Sequence, residues 1–204
     1  MRSVFIVSML SLLMIIAAQT VFADVTAKYK IAKAADFQIV KFHDADHVRS
    51  EYWSYGKMGP ATVKNGEKMY LVNGKQVIDM TAAYAALKGM MGKAGVASSN
   101  PQIMIKATGR KETIAGITGE VFQVTENGKS HEAVIGQNKQ LADVGKGMGA
   151  VINGMAGDSK SGEFLQHLDT EDTIKDPALL RFDQSFVLVS VTEGEIPASD
   201  FNVK

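Results

Sequence analysis

The chain has 204 residues, and its 22 basic side chains balance its 22 acidic ones. A protein without excess charge is not drawn to nucleic acid or to an anionic membrane surface, so we expect neither as a partner. It contains no cysteine, which excludes disulfide bonds, a cysteine nucleophile and a cysteine-linked lipid anchor.

The N-terminal segment predicts export. Arg2 provides a positive charge, residues 4–18 form an apolar run, and Val21-Phe22-Ala23 ends in a small residue, as a signal-peptide cleavage site does. The alternative, a retained membrane anchor, needs roughly 20 apolar residues. We therefore expect a signal peptide at residues 1–23, cleaved after Ala23, and a soluble, unlipidated periplasmic protein. Without Arg2, 21 basic residues face 22 acidic ones, a net charge of −1.

Asparagine–glycine pairs organise the middle of the chain. Asn-Gly suits the tight type I′ turn of a β-hairpin, and it occurs at Asn65-Gly66, Asn73-Gly74 and Asn127-Gly128. Short apolar runs flank each pair, which predicts antiparallel hairpins. With neighbouring runs, we expect eight to ten strands joined by up-and-down connections. The predicted strands are AKYKIA, FQIVKFH, HVRSEYWSYG, TVK, KMYLV, KQVIDM, QIMIKA, GEVFQVT, SHEAVIG and QSFVLVSVTEG.

Two longer amphipathic helices are predicted between the strands. The first begins at Thr81, whose hydroxyl can cap it, and the second spans about residues 138–155. The second contains four glycines, each of which costs about 1 kcal/mol relative to alanine. Packing must therefore hold this helix, or it is partly mobile. The apolar face of the first helix is Met80, Tyr84, Leu87 and Met91. The apolar face of the second is Leu141, Val144, Met148, Ile152 and Met155.

Shorter elements complete the prediction. Helical turns are expected at residues 161–168 and 176–182, the latter with Asp176 as cap and Pro177 at the first helical position. The glycine-rich stretch at residues 91–101 predicts a loop. No linker divides residues 24–204, so they form one domain.

Few residues indicate chemistry. His43 and His47 flank two aspartates in HDADH, which resembles a metal-binding cluster. Zinc needs three or four converging ligands, and the sequence offers no obvious third, so the aspartates favour a polar hairpin turn. A glycine pattern at residues 145–150 matches the dinucleotide fingerprint outside its strand–turn–helix context. We therefore predict no metal site, no cofactor and no enzymatic activity.

Methionine is the residue type that stands out. Eight methionines follow residue 23, and five of them lie on or beside the two longer helices. Flexible, polarizable thioethers line surfaces that accommodate varied apolar shapes. The alternative is an ordinary core in which methionine fills gaps. The eight are Met58, Met69, Met80, Met90, Met91, Met104, Met148 and Met155.

Three stretches resemble a family of exported proteins of unknown function that is grouped with the LolA-like and LolB-like lipoprotein carriers. They are GPATVKNGEKMYLVNGKQVIDM, ATGRKETIAGITGEVFQVTENGKSHEAVIG and VTEGEIPASDFNVK, about a third of residues 24–204. The resemblance implies an α+β fold: an antiparallel β meander curved into a half-barrel, with the helices at 81–91 and 138–155 covering its concave face. It also implies an apolar cavity that accepts acyl chains.

Two hypotheses follow for the function. The first is a periplasmic protein that binds a lipid or other apolar ligand under its helices, with a head group near Arg49, Lys57 or Arg110. The second is a cell-envelope protein-interaction module with a self-filled core and no small ligand. In the second, Trp53 and its neighbouring tyrosines form the contact surface, although they also fit plain strand packing. The predicted ligand lining is Met69, Met80, Tyr84, Leu87, Met91, Leu141, Val144, Met148, Ile152 and Met155.

Overall fold

The computed structural model describes residues 24–31, 35–83, 85–86, 103–126, 128–152 and 174–203. The predicted signal peptide, the loop at 91–101 and the helical turn at 161–168 lie outside these residues. So do four members of the predicted ligand lining: Tyr84, Leu87, Met91 and Met155.

Eleven strands form one antiparallel sheet in the order β6-β5-β4-β3-β2-β1-β11-β10-β9-β8-β7. Chain neighbours pair within each half, and the pairing of β1 with β11 joins the halves. The predicted up-and-down order is therefore wrong at one point, because β6 and β7 lie at opposite edges. The strands are β1 Val25–Ile31, β2 Asp36–Asp44, β3 His47–Ser54, β4 Lys57–Asn65, β5 Lys68–Asn73, β6 Gln76–Asp79, β7 Ile103–Ile114, β8 Ile117–Glu126, β9 Lys129–Gln137, β10 Pro177–Phe182 and β11 Phe186–Glu193.

The sheet is open and curved. β7 contacts β11, although four strand spacings would separate them by roughly 19 Å in a flat sheet. Within the described residues, β6 and β7 do not pair, so the sheet does not close. The described part of the chain is thus mostly antiparallel sheet with few helices.

The predicted hairpins are confirmed where the structure describes them, but the type I′ turns with asparagine at a central position are wrong at Asn65 and Asn73. Asn65 pairs with Lys68 and Asn73 pairs with Gln76, so each asparagine is the last strand residue and the glycine is the first turn residue. Gly66 and Gly74 have φ of 61° and 58°, and they connect β4 to β5 and β5 to β6. The turn between β3 and β4 is formed by Tyr55 and Gly56, with φ of 49° and 73°. Sequence reasoning missed it, because tyrosine rarely occupies the left-handed region.

The predicted helical turn at residues 176–182 is wrong: this segment is β10, between β9 and β11. Asp176 has a φ of 49°, so it does not lead into a helix. The next four positions after Pro177 are all buried, as a strand covered on both faces requires. Pairing with the strands β9 and β11 outweighs the local preference of Asp176-Pro177 for a helix start.

The second predicted helix is confirmed as α1, Lys139–Ile152. The side chain of Asn138 caps it, because its Oδ1 accepts the N–H of Leu141 at 2.9 Å. In the first predicted helix, residues 81–83 and 85–86 are helical. At its start, the Thr81 hydroxyl accepts the N–H of Met69 at 3.1 Å, and Asp79 Oδ1 accepts the N–H of Thr81 at 2.8 Å. Neither of these described helical segments has the length and apolar character needed to cross a membrane.

The C-terminal segment, residues 196–203, lies across the sheet. It contains the 3-10 turn Ala198–Asp200. Asn65 on β4 donates to the carbonyl of Phe201 at 3.2 Å, and Arg49 on β3 donates to the carbonyl of Asp200 at 3.0 Å. These bonds fix the segment over β3 and β4.

Candidate functional site

Strands β2 and β3 have two chemically different sides. Alternate residues of a strand point to opposite faces, and Val40, Phe42 and Val48 belong to the apolar cluster that contains α1. Arg49, the residue after Val48, instead bonds to the C-terminal segment. We call these the helix side and the C-terminal side.

The helix side brings together the predicted ligand-lining residues that the structure describes. Met69, Leu141, Val144 and Met148 are all buried in one cluster with core residues of the sheet, and Met80 packs against it. Ile152 belongs to α1, but its side chain lies outside the description. The periodicity of the second helix therefore identifies its buried face correctly.

The glycines of α1 have different surroundings. A Cβ on Gly147 would lie 2.8 Å from Phe42 Cδ2 and 3.0 Å from Val48 Cγ2, so only glycine permits this close approach of helix to sheet. Among the described residues, a Cβ on Gly145 or Gly149 would meet no atom within 4 Å, although Gly149 is buried. The helix is thus seated on the sheet at Gly147, whereas the described residues leave space beside Gly149.

The C-terminal side carries a cluster of histidine and aspartate. His43 is a bulged residue: Phe42 pairs with Val48 and Asp44 pairs with His47, so His43 is extra in β2. A bulge changes the direction of the side chains that follow it. It places Asp44 next to His47, with Asp44 Oδ1 2.8 Å from His47 Nδ1.

Asp24 holds the imidazole of His43 from the neighbouring strand. Its Oδ1 lies 2.6 Å from His43 Nδ1, and its Oδ2 accepts the N–H of Ile196 at 2.6 Å. Asp24 is 8% exposed, whereas the side chain of His43 is 51% exposed. A buried carboxylate therefore orients a histidine whose far ring edge reaches solvent.

Asp44 is both the turn residue and a partner of the two histidines. Partial burial tends to raise its pKa, but the N–H of Asp46, the ring of His47 and the N–H of His47 outweigh this, so the pKa of Asp44 is lowered. Its second oxygen, Oδ2, is 3.8 Å from His43 Nε2. The carboxylate stays ionised between two imidazoles.

Phe201 completes the surroundings of this cluster. Its ring centroid lies 5.8 Å from that of His47 and 6.3 Å from that of His43, and the residue is 4% exposed. A cavity of about 160 Å³ adjoins the two imidazoles. It is lined by His43, His47, Asn65, Ile196, Ala198, Phe201 and Asn202.

A second polar cluster on the C-terminal side centres on Glu51. This buried carboxylate accepts Arg49 Nε at 2.6 Å and Trp53 Nε1 at 3.0 Å, and Lys41 Nζ lies 3.2 Å away. Arg49 therefore lies on the face opposite α1 and does not serve a ligand held under that helix. Trp53 is hydrogen-bonded to Glu51 of the same strand, as plain strand packing predicts.

Sequence reasoning noticed HDADH but missed how its residues converge. The third donor, Asp44, lies inside the motif, and the β-bulge that brings it to the histidines has no local sequence signal. Asp24 and Phe201 are distant along the chain and could be found only from the strand pairing.

No protein-family model matches the chain, and a search of the curated proteins finds no match either. The geometry of the two sides is therefore the basis on which a function can be assigned.

Proposed function

We propose that this protein binds a lipid or other apolar ligand between α1 and the curved sheet, as an exported binding protein of the periplasm. The observation that supports the proposal is that Gly149 is buried although, among the described residues, a Cβ there would meet no atom within 4 Å. A core filled only by its own side chains leaves few such voids.

The shape of the sheet supports the same proposal. Buried residues of strands far apart in the sheet, Met69 on β5 and Val121 on β8, belong to one apolar cluster with α1. A curved, unclosed sheet around such a cluster is consistent with the half-barrel that the sequence resemblance implies. Met80 packs on this cluster, so the helical segment that follows it starts at the rim and can form the second part of a cover.

The energy available to such a site is adequate. Each buried methylene contributes about 0.8 kcal/mol, so ten enclosed methylenes contribute about 8 kcal/mol before the costs of association. Those costs are about 4–15 kcal/mol, so a measurable affinity requires costs at the lower end of that range. Met69, Met80 and Met148 suit the site, because methionine adapts to varied apolar shapes.

The interaction-module hypothesis has two observations in its favour. At the turn between β3 and β4, Tyr55 is 84% exposed, with Met58 at 42% and Tyr52 at 37% nearby in sequence. Leu141, Val144 and Met148 are also completely covered, as a self-filled core requires. The two hypotheses differ in whether anything enters the space beside Gly149.

Filling that space tests the proposal. The purified protein is prepared without detergent, examined by native mass spectrometry and titrated with a fluorescent fatty acid. We expect near-stoichiometric binding, and we expect Gly149→Leu to weaken it by at least tenfold because the side chain occupies the open space. Gly145→Leu is the matched control, since it makes the same helix change at a position that is also open but less buried.

The outcomes separate the hypotheses. Binding lost in Gly149→Leu and retained in Gly145→Leu supports a ligand beneath α1. A protein that carries no lipid and takes up no fatty acid contradicts the proposal and favours the interaction module. Equal loss in both variants would also contradict it, because the effect would then come from the helix as a whole.

A further inference from the structure

We propose that His43, Asp44 and His47 form a binding site for a divalent transition-metal ion, with Zn²⁺ as the ion that fits best, and that Asp24 positions His43 for this role. The site lies at the β2–β3 turn, on the side of the sheet opposite α1. It is independent of the proposed apolar ligand.

The spacing of the donor atoms carries this inference. One ligand atom from each of the three residues lies within 4.8 Å of the others. Around a tetrahedral zinc ion with bonds near 2.0–2.1 Å, neighbouring ligand atoms are roughly 3.3 Å apart. Asp44 approaches the two histidines with different oxygens: Oδ2 lies 3.8 Å from His43 Nε2, and Oδ1 lies 2.8 Å from His47 Nδ1, on either side of that value. To seat an ion, the side chains rotate so that one donor atom of each residue reaches this spacing.

The Asp24 carboxylate supplies a feature typical of histidine metal sites. Histidines that bind metals usually donate their other ring N–H to a carboxylate or carbonyl, which fixes the tautomer and leaves the remaining nitrogen free to bind. Asp24 Oδ1 takes the Nδ1 side of His43 at 2.6 Å, and the opposite nitrogen, Nε2, is the one nearest to Asp44 Oδ2. A buried carboxylate thus aims the coordinating nitrogen at the other ligands.

The donor set selects the class of ion. Two imidazoles and one carboxylate favour zinc and its neighbours among the transition metals, whereas calcium and magnesium require mostly oxygen ligands. Three protein ligands leave a fourth position for water, and the adjoining cavity of about 160 Å³ provides room for it. Because the side chains of His43 and Asp44 are about half exposed, an ion can enter from solvent.

The chain contains its own comparison for this site. His131 Nδ1 lies 2.7 Å from Asp183 Oδ2, and its ring stacks on Phe182 with 5.2 Å between centroids. This histidine has a carboxylate and a phenylalanine neighbour, as His43 does. Among the residues that the structure describes, however, it is not part of a group of three converging ligands. Replacing His131 therefore controls for the loss of one histidine.

Zinc binding to untagged protein tests the site, measured by competition with a chromophoric zinc chelator. We expect one equivalent of Zn²⁺ to bind, with Ca²⁺ and Mg²⁺ unable to displace it. His43→Ala and His47→Ala should each weaken binding at least 100-fold, and His131→Ala should leave it unchanged. Asp24→Asn should weaken it by about 10- to 100-fold, the range observed when such orienting partners are removed. Circular dichroism melts check that each variant is folded.

Nitrogen-15 spectra of the imidazole rings give a second readout that does not depend on variants. On adding Zn²⁺, the Nε2 signal of His43 and one ring nitrogen of His47 should shift, while His43 keeps its Nδ1–H and His131 does not respond. Failure of the protein to compete for zinc at micromolar concentration, equal loss of binding in His131→Ala, or shifts confined to other histidines would overturn the proposal.

Discussion

The two sides of β2 and β3 perform different tasks with residues that are adjacent in sequence. Phe42 and Val48 contact α1 on the helix side, while their neighbours His43 and His47 lie against Phe201 on the C-terminal side. One side is apolar and tightly packed at Gly147. The other contains ionised groups, a cavity and a phenylalanine. Strand alternation, together with the bulge at His43, thus gives one pair of strands an apolar side and a polar side.

The comparison also explains the role of the C-terminal segment. The helix side is covered by fourteen residues of regular helix, whereas the C-terminal side is covered by a short irregular segment held at a few points. Ile196 bonds to Asp24, Asp200 pairs with Lys41 at 2.9 Å, and Phe201 is buried. Removing one of these anchors should therefore lower the free energy of unfolding more than removing a single contact on the helix side.

Phe201→Ala should have the largest effect. Truncating a buried phenylalanine costs about 3–5 kcal/mol of unfolding free energy, and here it also removes the wall of the histidine cavity. Urea denaturation measures the change, and Phe201→Leu is the control that keeps most of the buried volume. A loss below about 1 kcal/mol would mean that the C-terminal segment merely rests on the sheet.

Gly147→Val should have the next largest effect. The new side chain would collide with Phe42 and Val48, and overpacking of this kind costs about 2–3 kcal/mol. Gly145→Ala is the control: it meets no atom and should stabilise α1 by roughly 1 kcal/mol because alanine favours helix. A lower melting temperature for Gly147→Val and a higher one for Gly145→Ala would establish Gly147 as the contact point. If Gly147→Val unfolds like the unmodified protein, the close approach is wrong.

Much of the sheet could be predicted from the sequence because its signals are local. Gly66 and Gly74 favour the hairpin turns through their left-handed backbone conformation, and the face of α1 follows from a 3.6-residue period. The strand β10 was missed because Asp176 and Pro177 imitate a helix start. Its true conformation depends on pairing with β11 and with β9, and β9 is remote in sequence.

The candidate sites were less predictable for the same reason. The apolar periodicity identified Leu141, Val144 and Met148 as a buried face, yet the open space beside Gly149 depends on how closely Gly147 seats the helix. In HDADH, the turn interpretation and the metal cluster rest on the same Asp44. The bulge at His43, which brings Asp44 beside both histidines, is visible only in the strand register.

Glu51→Gln should have the smallest effect, and it tests whether charge on the C-terminal side contributes to stability. Burial tends to raise the pKa of Glu51, but hydrogen bonds from Trp53 and Arg49 and the charge of Lys41 outweigh this, so the pKa is lowered overall. A lowered folded-state pKa means that the ionised carboxylate stabilises the fold above the unfolded value of about 4.3, and that this contribution is lost as pH falls through the folded pKa.

The variant should therefore lose about 1–2 kcal/mol at pH 7, because charge-assisted hydrogen bonds are removed, and the difference from the unmodified protein should shrink as the pH drops below about 4. Urea unfolding across pH 3–7 measures this, with Glu67→Gln at the exposed β4–β5 turn as the matched control. A constant difference at every pH would indicate that Glu51 acts by packing. In that case charge would contribute no measurable stability on either side, and the two sides would be stabilised in the same way, by packing.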